Sequence, residues 1–344
     1  MNNYAGISAM LEALCSAKGV SGAENTAAQT ASEMLGRFMT VGTDALGSVI
    51  GRKEGKGPHI LLDAHIDQIG LVVTAIDEDG FLKFSKCGGA DRRVLSAAEV
   101  TVHGKKDVFG VVTSTPPHLA KPEDAAKALP FEEMAIDIGL PKEEAEKIVS
   151  LGDRVTFNGN YLQLLGNRIS SPSVDDRAGI VSILRCLEIL EEKEVDCNLT
   201  VMFSAQEETG GSGAQAASFA AQADEAIAVD VSFASAPSVS SEKYAALGKG
   251  TMIGIAPALD YKISKTLEAI AERESIPYQL EVMGGKTGTN CDEIQVSGKG
   301  VRTALLSVPL RNMHTACEVC DLEDIENTAK LMAEYIAERS AENA

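Results

Sequence analysis

The 344-residue chain contains no tryptophan, and aromatic residues make up only 4% of it. Sites for polysaccharides and for single-stranded nucleic acids usually stack their ligands on aromatic side chains, and this chain has little material for such a surface. Basic residues are also in deficit, because 31 lysines and arginines stand against 50 acidic residues and give a formal net charge of −19. This charge repels phosphate backbones and anionic lipids, so we expect no nucleic acid and no membrane as a partner.

The sequence has no hydrophobic run that approaches the ~18 residues of a membrane-spanning helix. Its first segment, MNNYAGISAMLEALCSAKG, lacks the basic region and the cleavage site of a signal peptide and has the pattern of an amphipathic helix. Seven cysteines, an odd number spread from Cys15 to Cys320, fit reduced thiols better than a disulfide framework. Together these features predict a cytoplasmic protein.

The pattern of strands and helices changes twice along the chain. Residues 59–67 (HILLDAHID) have the pattern of a buried strand that ends in polar residues, and after residue 175 apolar strands alternate with helices. This alternation predicts an α/β fold with a largely parallel sheet that helices cover on both faces. Short β-like segments surround a Pro- and Glu-rich stretch between these two parts. We therefore predict a catalytic α/β domain formed by 1–68 and 166–344, with a smaller β-rich domain inserted at 69–165 that contributes to subunit contacts.

Residue types that bind metals follow the ends of four predicted buried strands. They are His65 and Asp67 after the first, Glu207 and Glu208 after the second, Asp230 at the end of the third and His314 after the fourth. A further acidic pair, Asp175 and Asp176, lies in a polar loop before a helix. Because ligand sites of open α/β sheets form outside the carboxyl ends of the strands, we expect these side chains to converge.

The composition of this cluster indicates a catalytic metal site. Histidine, aspartate and glutamate without cysteine suit Zn²⁺, Co²⁺ or Mn²⁺. Two histidines and several carboxylates exceed the needs of one ion and fit two ions about 3.5–4 Å apart that share a carboxylate and polarise one water. Taken singly, such residues are more often caps or turn residues. Their joint placement, in a chain with only five histidines, favours a site.

The neighbours Glu207 and Glu208 allow a division of labour. Successive side chains of an extended backbone point to opposite sides, so one glutamate can reach the metal while the other reaches the water. This alternation does not determine which of the two glutamates binds the metal and which reaches the water. Asp67 is placed to accept the second ring N–H of His65, a common support for a metal-binding histidine.

Five motifs follow one another along the chain: DAHIDQIG (63–70), SVDDRAG (173–179), SAQEETGGSGA (204–214), AVDVSF (228–233) and RNMHTACEV (311–319). In this order they resemble the motifs of the dinuclear-metal aminopeptidases of the tetrahedral (TET) and glutamyl-aminopeptidase family. Many members of that family carry the label cellulase or endoglucanase. The resemblance covers nearly the whole chain and implies the mixed, largely parallel sheet of the zinc exopeptidases with an inserted β-rich domain.

The resemblance also implies roles for the residues of this chain. One metal would be held by His65, Asp175 and Asp230, and the other by Asp175, Glu208 and His314, so that Asp175 bridges the two. Glu207 would be the general base and acid, and Asp67 would orient His65. The family pattern further implies that the inserted domain packs dimers, which commonly assemble into a dodecamer. The expected cofactors are two divalent ions per subunit, with zinc first and cobalt or manganese as alternatives.

Some positions differ from what is frequent in that family. Asn290 stands where Asp is common, Asn312 where Tyr or another residue is frequent, and Ala316 where Pro is frequent. The segment GGADRRVL (88–95) lacks the tryptophan-containing form of many relatives. None of these positions is a proposed ligand, so the differences concern the substrate pocket and the assembly contacts.

The predicted function is a metal-dependent aminopeptidase that acts on peptides with a free N-terminus. Three alternatives remain open. The first is an endoglucanase, which needs two carboxylates about a sugar bond and no metal. The second is an assembly protein that keeps the fold and the metals without catalysis, and the third is a deacylase or carboxypeptidase on a related scaffold.

Overall fold

A computed structural model describes residues 4–116, 118–119, 127–237, 239 and 244–341. Within these residues the helices are α1 (Ala5–Ser16), α2 (Asn25–Leu35), α3 (Lys142–Ile148), α4 (Val174–Glu192), α5 (Ser212–Ala221), α6 (Tyr261–Glu274), α7 (Cys291–Ile294) and α8 (Leu322–Ala341). No helix in this part of the chain combines the length and the hydropathy that crossing a membrane requires.

Within the described residues the main sheet has eight strands. In their order across the sheet they are β1 (Thr40–Thr43), β2 (Val49–Lys53), β12 (Leu199–Ser204), β3 (Ile60–His65), β13 (Glu225–Phe233), β16 (Arg302–Leu310), β14 (Thr251–Ile255) and β15 (Tyr278–Val282). The four central strands, β12, β3, β13 and β16, run parallel to one another. Strand β14 pairs with β16 in the antiparallel sense, as do β1 with β2 and β2 with β12. The carboxyl ends of the four central strands therefore meet at one edge.

Helices cover both faces of this sheet. Successive residues of a strand point to opposite faces. Leu62 accordingly joins a hydrophobic cluster with residues of α1, α4 and α8, whereas Leu61 joins a second cluster with residues of α5 and α7. Almost the whole of α4 is buried against the sheet and α8. The predicted fold class, a mixed and largely parallel sheet between helices with a β-rich insertion, is confirmed.

The insertion contains a closed barrel. Its strands, in order around the barrel, are β4 (Gly70–Ile76), β5 (Leu82–Cys87), β8 (Ile136–Asp137), β7 (Asp107–Val112), β6 (Glu99–His103) and β9 (Arg154–Phe157). The barrel has a hydrophobic cluster of its own, which includes Leu71, Val100 and Val155. That 69–165 is an independent domain with subunit contacts stays a prediction.

A small third sheet joins the two halves of the chain near the main sheet. It consists of β10 (Leu162–Gln163), β11 (Arg168–Ser171) and β17 (Glu318–Asp321). Strand β11 leads into α4, and β17 follows the segment that carries His314. The pairing of β11 with β17 therefore brings the start of α4 close to the segment between β16 and β17, which carries His314.

Candidate metal centre

The proposed metal-binding side chains lie at the carboxyl edge of the four parallel strands. His65 is the last residue of β3, and Asp230 lies on β13, three residues before its last residue. Glu207 and Glu208 lie in the turn that follows β12, and His314 follows β16. Residues that are distant in sequence thus arrive at one edge because their strands run in the same direction.

Asp175 reaches the same place from the first turn of α4. The helix begins irregularly: Ser173 has a φ of 62°, Asp175 and Asp176 have non-helical backbone angles, and the peptide bond between these two aspartates is cis. Oδ1 of Asp175 lies 2.9 Å from Nε2 of His65, and Oδ2 lies 3.2 Å from Nε2 of His314. One buried carboxylate therefore faces both histidines, each with a different oxygen.

Two groups of three side chains, which share Asp175, have the spacing of metal ligands. The first is His65, Asp175 and Asp230, and the second is Asp175, Glu208 and His314; within each group the ligand atoms lie within 4.8 Å of one another. Nε2 of His65 is 4.0 Å from Oδ1 of Asp230, and Nε2 of His314 is 3.4 Å from Oε1 of Glu208. Nitrogen and oxygen donors around a shared carboxylate fit a pair of divalent cations.

Burial and crowding perturb the acid–base behaviour of this cluster. Burial, followed by the charge of Asp175, raises the pKa of Glu208 to about 8, and burial raises the pKa of Asp230 well above its usual value. Burial also acts to raise the pKa of Asp175, but the contacts with His314 and His65 hold that pKa well below the usual range. Cations in the cluster would relieve the repulsion between these carboxylates, so metal binding and loss of protons are coupled.

Asp67 supports the site through two different groups. The sequence predicts that its carboxylate accepts the ring N–H of His65, but Nδ1 of His65 lies 3.0 Å from the main-chain oxygen of Asp67 and 3.5 Å from its carboxylate. The carboxylate instead accepts hydrogen bonds from the main-chain nitrogens of Glu207 and Glu208, at 2.9 and 3.1 Å. Asp67 therefore orients the histidine mainly through its carbonyl and holds the two glutamates through its side chain.

Glu318 was missed by the sequence reasoning. It is 2% exposed, and its carboxylate accepts hydrogen bonds from the main-chain nitrogens of Asp175, at 3.1 Å, and of His314, at 2.8 Å. Asp176, which had no assigned role, accepts bonds from the main-chain nitrogens of Gly179, at 3.0 Å, and His65, at 3.3 Å. The sequence feature that could have indicated Glu318 is its position, four residues after the candidate ligand His314.

Glu207 lies beside the ligand groups and belongs to neither. Its Oε2 is 4.0 Å from Nε2 of His65, and its side chain is 17% exposed, against 6% for Glu208. Burial is the main cause that raises the pKa of Glu207. A carboxylate with a raised pKa, next to a ligand set and open to the solvent side, is suited to accept a proton and return it.

A cavity of about 680 Å³ lies over the ligand groups. It is lined by the candidate ligands and Glu207, and it extends past Val231 and Leu305 to Glu281. Gly89, which follows the barrel strand β5, also lines it and lies against His314. A Cβ atom at Gly89 would collide with Nδ1 of the histidine ring and lie 2.6 Å from Cε1. The barrel region thus contributes to the wall of the candidate site.

The three single-residue departures from the family pattern, Asn290, Asn312 and Ala316, lie outside the ligand groups. Asn290 is 3% exposed, and its Nδ2 donates to the carboxylate of Asp63 at 2.9 Å and to Oγ of Ser204 at 2.7 Å. Asn312 donates to a main-chain oxygen of its own loop at 3.1 Å. Ala316 lines a second cavity of about 730 Å³, next to the barrel. The buried position of Asn290 makes it a part of the sheet edge beneath the site.

Comparison with known proteins agrees with this geometry. The family model of the M42 glutamyl aminopeptidases matches residues 47–331. The lysyl aminopeptidase of Pyrococcus furiosus is 34% identical over 299 residues, which cover 86% of this chain and 86% of that protein. The extent and level of this similarity support metallo-aminopeptidase activity.

Solved structures share the complete fold. The Pyrococcus horikoshii TET1 peptidase, which can assemble into a tetrahedron or a large octahedral shell, has a TM-score of 0.85 and 30% identity over 96% of this chain and 99% of its own. A structure from Thermotoga maritima that is called an endoglucanase has a TM-score of 0.78 and 28% identity over 96% of this chain and 98% of its own. The resemblance predicted from the five motifs is confirmed: the chain belongs to the M42 glutamyl aminopeptidase family.

Proposed function

We propose that the protein is a dinuclear metallo-aminopeptidase that removes N-terminal residues from peptides, with Glu207 as the general base. The observation that carries this proposal is the position of Asp175, whose two carboxylate oxygens face His65 and His314 in two separate ligand groups. Membership of the M42 family and similarity to a lysyl aminopeptidase support peptide hydrolysis.

The ligand groups define which residues would hold the cations. His65, Asp175 and Asp230 would bind one, and Asp175, Glu208 and His314 would bind the other. Zinc is the simplest choice for these donors, and cobalt and manganese are alternatives. When bound, two such ions supply the positive charge that activates a water molecule and polarises the scissile carbonyl group.

Glu207 would move the proton of the reaction. As the oxygen of the attacking water bonds to the carbonyl carbon, the carboxylate of Glu207 takes the proton that the water loses. The peptide C–N bond then breaks, and Glu207 returns this proton to the leaving amine. Two features support this role: the raised pKa of Glu207, caused mainly by burial, and the hydrogen bond from its main-chain nitrogen to Asp67 at 2.9 Å.

The charge of the site supports a free N-terminus as the recognised group. The side chains around the two ligand groups are mainly carboxylates, and they line the cavity together with His65 and His314. With the ligand carboxylates neutralised by the cations, the carboxylate of Glu207 would remain to attract an α-ammonium group, whereas an acetylated N-terminus has no charge to offer. We therefore assign exopeptidase activity at free N-termini.

The barrel region would serve assembly. We assign 69–165 to a domain through which subunits form dimers and a dodecamer, and 1–68 with 166–344 to the catalytic domain. Phe109 and Leu151, on the barrel region, are 57% and 66% exposed, which supports a contact surface there. All seven cysteines are free, which supports the reducing cytoplasm as the compartment.

One experiment separates this function from its rivals. The protein is stripped with a chelator, reloaded with zinc, cobalt or manganese, and given free and N-acetylated peptides and soluble cellulose. We expect the release of N-terminal residues from the free peptides only, lost with the chelator and restored by metal. Sugar release that survives the chelator would identify a glucanase, and cleavage of acetylated peptides would identify a deacylase or a carboxypeptidase. Metal binding without any hydrolysis would identify an assembly protein.

A further inference from the structure

The cavity over the ligand groups continues along the main sheet toward β15. Asp230 and Ser232 are two residues apart on β13, so their side chains point to the same face about 7 Å apart. Ser307 of β16 is the direct pairing partner of Asp230. Both serines line the cavity, so it extends from a proposed metal ligand to the next row of side chains.

Glu281 of β15 forms the acidic end of this cavity. Its Oε2 accepts a hydrogen bond from Oγ of Ser307 at 2.9 Å, and its Oε1 accepts one from Oγ of Ser232. The two serines are buried, and neither Glu281 oxygen uses all of its acceptor capacity on them. Glu281 therefore presents a carboxylate that can accept further hydrogen bonds from a molecule in the cavity.

The walls between Asp230 and Glu281 carry two apolar side chains besides the two serines. Met252 and Leu305 line this part of the cavity and are 3% and 1% exposed. Apolar walls that lead to a carboxylate match a side chain with a hydrocarbon stem and a cationic end. Lysine has such a stem, of four carbons, and arginine has a similar one.

From this arrangement we propose that Glu281 selects substrates whose N-terminal residue is lysine or arginine, an assignment that rests on the proposed aminopeptidase function. The stem of the substrate side chain lies along the apolar walls, and its cationic end donates hydrogen bonds to Glu281. A charge pair that is shielded from water contributes specificity because a neutral side chain would leave the negative charge of the carboxylate uncompensated.

Lys286 does not reverse this preference. Among the described residues that line the cavity, it is the single lysine or arginine, and it lies on the loop that follows β15. Its side chain is exposed, whereas Glu281 is partly buried between two buried serines. Water and salt screen an exposed charge, so Lys286 selects acidic substrates only weakly compared with the attraction of Glu281 for basic ones.

The first test measures kcat/KM of the metal-loaded protein for chromogenic substrates with N-terminal Lys, Arg, Leu, Met and Glu. We expect Lys and Arg to exceed Leu by about tenfold or more, and Glu281→Gln to lower the Lys-to-Leu ratio by about 10–100-fold, as for a lost hydrogen bond to a charged group. Glu191→Gln, at an exposed position of α4, is the matched control. A preference of the unmutated protein for Leu or Glu, or an unchanged ratio in Glu281→Gln, would overturn the proposal.

The second test measures binding and does not need turnover. Calorimetry compares L-lysine with L-norleucine, which has the same α-amino and carboxylate groups but no side-chain charge. We expect the metal-loaded protein to bind lysine at least about tenfold more tightly, and Glu281→Gln to lose this difference. If no substrate is hydrolysed but this difference is found, the aminopeptidase function fails and the pocket assignment stands. Equal binding of the two amino acids overturns the pocket assignment, whatever the activity.

Discussion

The carboxylate of Glu318 accepts a hydrogen bond from the main-chain nitrogen of His314 at 2.8 Å. His314 has a φ of 63°, in the left-handed region that residues other than glycine adopt at a cost. The second oxygen of the same carboxylate accepts from the main-chain nitrogen of Asp175 at 3.1 Å. Glu318 therefore fixes the relative positions of the histidine and the shared aspartate without being in either ligand group.

Glu318→Gln should loosen this arrangement. The amide keeps one acceptor oxygen and presents an NH₂ group to one of the two main-chain donors, which leaves that donor unpaired at a cost of about 1–3 kcal/mol. We expect the affinity for one of the two metals to fall by about 10–100-fold, the range for residues that orient metal ligands. Metal titration followed by calorimetry measures this. Glu143→Gln on α3 is the control, and equal metal affinity in both variants would contradict the account.

Gly89→Ala should act on the same histidine from the barrel side. The new Cβ would collide with Nδ1 of the His314 ring, so the ring must leave the position in which its Nε2 lies 3.2 Å from Oδ2 of Asp175. We expect loss of about one metal ion per subunit at limiting metal, with little change in the melting temperature. Gly284→Ala is the matched control, because a Cβ there meets no heavy atom within 4 Å. If Gly89→Ala binds two ions with the same affinity as the control, the contact between the barrel region and His314 does not affect metal binding.

Asp324 of α8 gives a pH dependence that can be isolated from the metal centre. It is fully buried, and its carboxylate accepts hydrogen bonds from the main-chain nitrogens of Gly248 and Gly250, both at 2.7 Å. Burial raises the pKa of Asp324 to about 7, above the ~4 of an unfolded chain. The folded state holds this proton more tightly, so the contribution of Asp324 to the free energy of unfolding is complete below about pH 4 and is lost as the pH rises to about 7.

Asp324→Asn removes this titration. The difference in the free energy of unfolding between the unmutated protein and the variant should therefore shrink as the pH rises from about 4 to about 7. Urea unfolding of both proteins across this range, with a chelator present so that metal binding does not contribute, measures the difference. A difference that stays constant or grows with pH would show that Asp324 does not keep its proton in the folded state.

The convergence of the candidate ligands could be predicted from the sequence because buried parallel strands have a simple signature. Apolar runs such as those of β3 and β12 end abruptly in polar residues, and the parallel arrangement puts those ends at one edge. His65 and Glu208 could therefore be predicted to lie at the same edge of the sheet, although they are far apart in the chain. Asn290 also donates hydrogen bonds to Asp63 and Ser204 at this edge. No pattern in the sequence predicts these two hydrogen bonds.

The residues that the sequence did not reveal depend on long-range pairing or on backbone groups. Glu318 begins β17, which pairs with β11 in a separate sheet, and no local pattern brings it under Asp175. Glu281 lies in an edge strand whose exposed and half-buried residues resemble a solvated surface. The bond from the His65 ring goes to a main-chain oxygen, which side-chain identity does not encode. Barrel closure likewise depends on β8, which has only two residues and a weak sequence signal.

The central claim is that Glu208 binds metal while Glu207 carries the proton. Glu207→Gln and Glu208→Gln keep the side-chain shape, so metal content and kcat measured on both variants compare the two roles directly. We expect Glu207→Gln to retain two metal ions per subunit while kcat falls by about 10²–10⁴-fold, the range for a general base. Glu208→Gln should lose one ion at limiting metal and recover part of its activity with excess cation. Normal turnover by Glu207→Gln, or loss of metal on that change with none on Glu208→Gln, would contradict the account.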